Sequence, residues 1–516
     1  MFGTDGIRAP FGEPPLDRPT VTALGMELAA ALCERRGGSP RVVLGGDTRE
    51  STPEICRWLA EGLGAGGAAL RYAGVVPTPG VAWLVRRLGA AAGVVVSASH
   101  NPYPDNGIKL IDAQGFKWSE AAEAALERRL RTALGRDPAP SDGSLGRDPV
   151  PPSDGSLGRD PVPSDGSLGR DPAPSDGLPR RAQPLACELT AEGELQESYL
   201  RYLAGSVPSS AVAAAHGPPP AGGEPGGRLG GDASGHRQPL AGLHVVLDTG
   251  NGAASAYAGE LFRRLGARTT VLSAAPDGRN VNLDCGSTAP EKVAAATLAA
   301  GADLGAAFDG DADRCIMADE RGEVRDGDAT LYLWATSLHR AGRLHPPRIV
   351  ATSMSNLGLE RAAACAGIEV VRCGVGDRSV VEAMLSEGIR LGGEQSGHLV
   401  HLGLSSTGDG LLTAVQIACL VRQARQPLSA LLAGFRRYPQ VLLNVPVARK
   451  PELANLPRVA AAARSVEERL GHDGRLVLRY SGTEPLARVM IEGPDQAEIE
   501  GMARELAAVI GEELRA

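Results

Sequence analysis

Residues 93–109 read GVVVSASHNPYPDNGIK, a run of β-branched apolar side chains that stops abruptly in Ser, His, Asn and Pro. A short apolar run bounded by turn formers predicts a buried strand. The hydroxyl of Ser99 then falls on the loop leaving that strand's carboxyl end, where open α/β sheets place their ligands. The same grammar recurs outward from this point. Residues 41–45 (RVVLG), 243–247 (LHVVL), 303–308 (DLGAAF) and 348–351 (RIVA) predict further strands, while 20–33, 54–63, 121–132, 188–203, 291–300 and 410–425, rich in Ala, Leu and Arg, predict helices. Strand–helix alternation is the signature of crossover units on a parallel sheet. The tail departs from it, with strands expected at 442–447, 475–479 and 487–491 and helices at 456–470 and 496–514. The expected architecture is therefore three α/β domains with mixed, mostly parallel sheets, followed by a C-terminal α+β domain. Their expected spans are 1–183, 184–300, 301–430 and 431–516.

A chain of 516 residues exceeds the ~250–300 that one core supports, consistent with several domains. Leu134, Leu145, Leu157 and Leu168 each open a copy of LGRDP followed by a Pro-Ser-Asp-Gly cluster. Each copy has too few apolar side chains to bury a face, so 134–180 reads as a disordered insertion and the Gly/Pro-rich 209–239 as a linker. A formal net charge of −8 offers no broad positive face for nucleic acid. No stretch approaches the ~20 consecutive apolar residues of a membrane span, and MFGTDGIR lacks a signal-peptide pattern, so a cytoplasmic location is expected. The eight cysteines are scattered without a CxxC pair and read as reduced.

Four loops carry chemistry. Ser99 is a candidate nucleophile, although Ser, Asn and Pro also make ordinary turns. His100 beside it does not make a triad, because adjacent side chains usually point apart. Asp309, Asp311 and Asp313, in FDGDADR after a predicted strand, present alternate carboxylates suited to Mg²⁺ or Ca²⁺. An EF-hand would need Gly where Arg314 stands and a helix where DLGAAF stands. An aspartyl-phosphate phosphatase would need Thr or Val at Asp313, and a solvated acidic turn is the plain alternative. Glu394, Ser396 and His398 in LGGEQSGH could hydrogen-bond sugar hydroxyls. Arg479 to Glu484 (RYSGTE) offers a guanidinium, hydroxyls and Gly-permitted amides as a phosphate nest, or a simple β-turn. Residues 248–252 (DTGNG) fall short of a dinucleotide fingerprint, since Ser255 occupies the third glycine position.

Taken in order, FGTDGIR (2–8), SASHNP (97–102), DGDADR (309–314), GEQSGH (393–398) and SGTEP (481–485) resemble the α-D-phosphohexomutase superfamily. PDGRNVNLDCGSTAPE (276–291), GVGDR (374–378) and RYSGTEPLARVMIEG (479–493) are similar to its phosphoglucosamine mutase branch. The resemblance covers the chain apart from the two insertions. It implies four domains around a central cleft and an isomerase that exchanges glucosamine 6-phosphate with glucosamine 1-phosphate through a phosphoserine and a sugar 1,6-bisphosphate, on the route to UDP-N-acetylglucosamine. The same chemistry on mannose or glucose phosphate, or a silent sugar-phosphate-binding scaffold, are the alternatives. It further implies one Mg²⁺ held by Ser99, Asp309, Asp311 and Asp313, with Lys109, Arg8, Arg314 and His398 around the reacting phosphate. Glu394, Ser396, Arg378, Arg479, Ser481, Gly482 and Thr483 would bind the substrate. The implied partner is a hexosamine phosphate, with no nucleic acid or membrane, and a homodimer is one assembly open to it. Two departures stand out: only Met1 precedes FGTDGIR where relatives have a short leader, and Tyr480 stands where amino-sugar mutases often have Pro.

Overall fold

The computed structural model describes residues 1–3, 5–36, 38–135, 189–207, 238–481 and 485–515; most of the repeat insertion and of the expected linker, with Cys187, lies outside them. The first sheet holds β1 (Phe2–Gly3), β2 (Gly6–Pro10), β3 (Arg41–Gly46), β4 (Ala69–Val75), β5 (Ala92–Val96) and β6 (Asp105–Ile111), in the order β1-β2-β6-β5-β3-β4. Helices α1 (Arg18–Arg36), α2 (Thr52–Ala65), α3 (Thr78–Leu88) and α4 (Glu120–Ala133) flank it. After α5 (Gly193–Gly205), the second sheet runs β11-β10-β9-β7-β8 from β7 (His244–Asp248), β8 (Arg268–Leu272), β9 (Leu304–Phe308), β10 (Cys315–Asp319) and β11 (Val324–Arg325), with α6 (Ala258–Arg264) and α7 (Glu291–Ala299).

The third sheet, ordered β13-β12-β14-β15, is built from β12 (Arg348–Thr352), β13 (Glu369–Cys373), β14 (Leu391–Gly393) and β15 (Leu399–His401). Around it lie α8 (Gly327–Arg340), α9 (Leu357–Cys365), α10 (Asp377–Ser386), α11 (Gly410–Ala424) and α12 (Leu428–Leu431). The C-terminal sheet β16-β18-β17, from β16 (Gln440–Pro446), β17 (Arg475–Tyr480) and β18 (Leu486–Glu492), is wholly antiparallel and carries α13 (Pro457–Leu470) and α14 (Gln496–Leu514). In each of the first three sheets parallel ladders join the central strands, as their uniformly apolar runs require, and antiparallel pairs extend one edge.

Two differences from the expectations have clear causes. β9 pairs in parallel with β7, and β10 folds back on β9, so the acidic loop at 309–314 belongs to the second sheet rather than to a third domain starting at 301. The same hairpin leaves no place for the flanking helices of an EF-hand. α5 starts at Gly193, not 188, because the chain before it is extended along the first sheet: the Glu192 amide donates to Tyr72 O (2.9 Å) and its carboxylate pairs with Arg71.

One apolar core runs through the first three sheets, from Val43 and Val81 through Tyr199, Phe262 and Phe308 to Leu331 and Val415. Because successive side chains of a strand alternate faces, Val42 and Leu44 instead join a second core with Ile7, Leu24, Leu59 and Leu126. The C-terminal domain has its own core around Val445, Ile491, Leu506 and Ile510. It meets the third sheet through polar groups: Asn356 Nδ2 donates to Glu492 Oε1 (2.9 Å), and Arg475 donates to both Glu492 Oε2 and Ser355 O.

Within the shared core, Tyr199 on α5 donates its hydroxyl to Asp409 Oδ2 (2.8 Å), the N-cap of α11, whose Oδ1 accepts from Leu412 N–H (2.9 Å). Burial pushes the Asp409 carboxyl up to about 6 against these donors. Folded Asp409 thus holds a proton more readily than the unfolded chain, and its charged form destabilises as pH rises through that value. Replacing Tyr199 with Phe strands a buried acceptor, a loss of about 1–3 kcal/mol. Urea unfolding should show that loss nearly in full at pH 8 and a smaller one at pH 5, where the carboxyl is protonated.

Candidate active site

Ser99 lies at the end of β5, buried, with a backbone φ of 52° that non-glycine residues seldom adopt. What holds it there is a buried set of polar groups at the carboxyl ends of β3 and β5. Asp47 pairs with Arg49 and accepts from Ser97 Oγ (2.6 Å) and Thr52 Oγ1 (2.9 Å). Ser97 Oγ in turn accepts the Ser99 amide (2.9 Å), and the Ser99 carbonyl takes Asn282 Nδ2 (2.9 Å) from the second sheet's loops. The residues Asp47, Arg49 and Asn282 carry no expectation from the sequence. The first two follow β3 directly, so the rule that singled out Ser99 would have found them too.

From the second sheet the β9–β10 turn brings its three aspartates to Ser99. The Ser99 hydroxyl donates to Asp309 Oδ2 at 2.6 Å. Asp309, Asp311 and Asp313 are all buried and each offers an oxygen within 4.8 Å of the others. The turn can approach so closely because Gly310 has no side chain: a Cβ there would lie 2.6 Å from Ser99 O. The glycines of 248–252 serve the same packing, since Cβ atoms at Gly250 and Gly252 would meet Phe308 O at 2.8 Å and Gly310 O at 2.5 Å.

Charge decides what this cluster can hold. Burial, then the neighbouring Asp313 and Asp311, push the Asp309 carboxyl well above its ordinary range. Burial also works against ionised Asp313, but Lys109 and His398 outweigh it and hold that group well below. Lys109, 2% exposed on β6, sets its ammonium 2.9 Å from Asp311 Oδ2 and 3.6 Å from Asp313 Oδ2. Thr78 Oγ1 donates to the same Asp311 oxygen (2.6 Å), whereas Asp311 Oδ1 and Asp313 Oδ1 are buried with no hydrogen-bond donor. Hard carboxylate oxygens so close, two of them unsatisfied, fit a divalent cation such as Mg²⁺ or Ca²⁺.

Around the trio, Arg314 N–H donates to Asp309 Oδ1 (3.2 Å), and Arg8 donates to Ala98 O (2.6 Å) while pairing with Asp5. His398 Nδ1 faces Asp313 Oδ1 at 3.7 Å, and Nε2 accepts Gly408 N–H (3.1 Å), which turns the Nδ1 proton toward Asp313. His100 lies nearer Ser99 than neighbours usually do, Nδ1 to Oγ 3.4 Å, because the left-handed backbone at Ser99 turns the two side chains together. Burial, with Arg314 and Arg8 nearby, lowers its pKa to about 4, so this imidazole is neutral at physiological pH.

The remaining expected residues are placed unevenly. Glu394 is buried in the β14–β15 turn and accepts Gly376 N–H (3.0 Å), while Ser396 at the tip is exposed. Cys315 N–H donates to Gly397 O (3.0 Å), tying this turn to the acidic one. Arg378, expected at the substrate, turns to Glu123 and Trp118 O, both 2.9 Å away, and so bridges α10 to the first sheet's α4. Arg479 faces Arg488 across β17 and β18, and Ser481 is buried; Gly482 and Thr483 lie outside the described residues. The Tyr480 hydroxyl, at the end of β17, donates to Pro451 O (2.7 Å). No helix among the described residues is long and apolar enough to cross a membrane, and the seven described cysteines are free.

Comparison with known proteins gives the arrangement its kin. Phosphoglucomutase/phosphomannomutase patterns match in four blocks: α/β/α domain I over 1–135, domain II over 232–322, domain III over 326–438 and the C-terminal domain over 442–509. A phosphoglucosamine mutase of Solibacter usitatus is 41% identical over 519 residues, covering 100% of this chain and 99% of its own. One from Symbiobacterium thermophilum is 39% identical over 515 residues, with 100% and 99% covered. A phosphoglucomutase/phosphomannomutase family protein of Burkholderia thailandensis shares the fold with a TM-score of 0.70 at 21% identity, covering 99% of this chain and 96% of that one. With the four domains in order and this identity sustained from end to end, the chain belongs to the phosphoglucosamine mutase family of the α-D-phosphohexomutases.

Proposed function

We propose that this chain interconverts glucosamine 6-phosphate and glucosamine 1-phosphate, with Ser99 as the phosphoryl carrier and a sugar 1,6-bisphosphate as intermediate. The observation that carries this reading is the 2.6 Å contact between Ser99 Oγ and Asp309, which brings a hydroxyl from one sheet onto three carboxylates from another. The amino-sugar substrate follows the names of the full-length relatives. The product feeds UDP-N-acetylglucosamine synthesis, and we place the enzyme in the cytoplasm, where its phosphorylated sugars are kept.

Phosphoryl transfer asks a protein for in-line positioning and for neutralisation of oxygen charge. Asp309, Asp311 and Asp313, with an oxygen on Ser99, would hold one Mg²⁺, which when bound would neutralise charge on the transferring group. Lys109, Arg8 and Arg314 add positive charge beside it. Ser99 as its phosphate ester donates the phosphoryl group to the free hydroxyl of the sugar: the Ser–O–P bond breaks, the sugar O–P bond forms, and the sugar proton passes to a nearby base. The bisphosphate turns end over end and returns its other phosphate to Ser99. Glu394 and Ser396 grip sugar hydroxyls, and Arg479 with Ser481, Gly482 and Thr483 binds the phosphate that is not reacting. His398 keeps Asp313 oriented, and Arg378, paired with Glu123, spans the seam between α10 and α4.

Intact-mass measurement on purified protein should find one phosphate, lost together with mutase turnover when Ser99 becomes Ala. An unphosphorylated protein that still isomerises glucosamine 6-phosphate at the full rate refutes the reading. Chelation should abolish turnover and Mg²⁺ restore it, with no change in the circular dichroism spectrum. Gly310→Ala adds only a methyl group, yet it must part the two loops; kcat should fall about 10²-fold, the cost of displacing reacting groups by about 1 Å.

A further inference from the structure

Lys117 and Asp377 have no part in the roles assigned above, yet they complete a line of alternating charges across the molecule. It starts at Asp311 and Asp313, which face Lys109. Lys109 Nζ lies 3.5 Å from Asp5 Oδ2. The other oxygen of Asp5 pairs with Lys117, whose ammonium also pairs with Asp377 at the first position of α10. The residue before it, Gly376, donates its amide to Glu394 (3.0 Å). The line therefore joins the acidic loop of the second sheet to the sugar loop of the third by way of the first.

Lys117 is a well-fixed link in that line. Its backbone bridges Ile111 at the end of β6, the strand that carries Lys109, and Trp118 N–H donates to Leu110 O (3.0 Å). The side chain is 11% exposed and Asp377 16%. Burial works against the ammonium, but Asp377 and Asp5 outweigh it and hold Lys117 above its ordinary value. A buried ion pair gives little net stability over an apolar contact of the same shape; its distinctive contribution is geometric.

We propose that Lys117 is a positioning residue: held between Asp5 and Asp377, it sets the separation between the phosphoryl-transfer loops and the turn that carries Glu394. This rests on the reading above, in which Ser99 donates to a sugar gripped by Glu394. Without the cation, Asp5 and Asp377 repel, α10 backs away, and Glu394 follows through Gly376. The sugar hydroxyl then misses the phosphoserine, and water takes the phosphoryl group in its place.

The test uses the full-length enzyme primed with glucose 1,6-bisphosphate and assayed on glucosamine 6-phosphate. Lys117→Met should keep one phosphate on Ser99 and the wild-type melting temperature within a few degrees. KM should rise about tenfold, kcat should fall about 10–100-fold, and phosphate released to water per isomerisation should rise. Lys117→Arg should restore most of the turnover. Asp377→Asn should match Lys117→Met, and the double variant should be no worse than either, since both remove one link. Unchanged kinetics in Lys117→Met, failure of Arg to rescue, or activity lost only in step with Ser99 phosphate and melting temperature each overturns the inference. A wild-type enzyme without phosphate on Ser99 sinks the carrier reading itself, a result that the variants cannot imitate.

Discussion

Three carboxylates confined to one buried turn are the constraint on which the molecule is arranged. With oxygens less than 5 Å apart, each like-charged pair costs roughly 3–4 kcal/mol at an effective dielectric of ~20, and no apolar packing offsets that locally. The surroundings answer with positive charge from Lys109 on the first sheet and Arg314 on the turn itself, and with the Nδ1–H of His398 from the third. The cluster thus draws the three α/β units to one point, and the shared apolar core beneath it fixes their approach.

Backbone shape is the second half of the same arrangement. Ser99, Asn251, Asn282, Asp284 and Ala312 all adopt left-handed backbone with non-glycine side chains, and all lie in the loops that meet at the trio. Such residues cost of order 1–3 kcal/mol each and persist only where the surroundings over-determine them. Here that role falls to the Asp47–Arg49 pair, the Asn282 amide and the glycines that let three loops stack backbone on backbone.

Much of this was legible in the residues. β3, β5, β7, β9 and β12 are β-branched or small apolar runs, and short apolar runs bounded by turn formers are the mark of strands buried on both faces. α3 escaped because it opens with Thr-Pro-Gly, which reads as a turn, although Pro suits the first helical turn by having no amide to satisfy. β6 escaped because DNGIKLI begins with turn formers, yet it carries Lys109. The acidic trio and Ser99 could be picked out by type and spacing. Asp5, Lys117 and Asp377 could not, because their meaning lies in pairings between distant segments that no local pattern encodes. Arg378 shows the converse: it stands inside a motif, but a carboxylate on α4 claims it.

The polar seam between the third sheet and the C-terminal domain has a mechanical consequence. That domain completes its own apolar core, so pivoting about Asn356, Arg475 and Glu492 uncovers hydrogen-bonding groups that water can serve, and little hydrocarbon. In the proposed reaction, attraction between Arg479 and a dianion at the far end of the sugar would then do work on the whole molecule. On that reading, the affinity for a phosphate that takes no part in bond-making would be the force that swings the jaw shut and dries the chamber around the one that does.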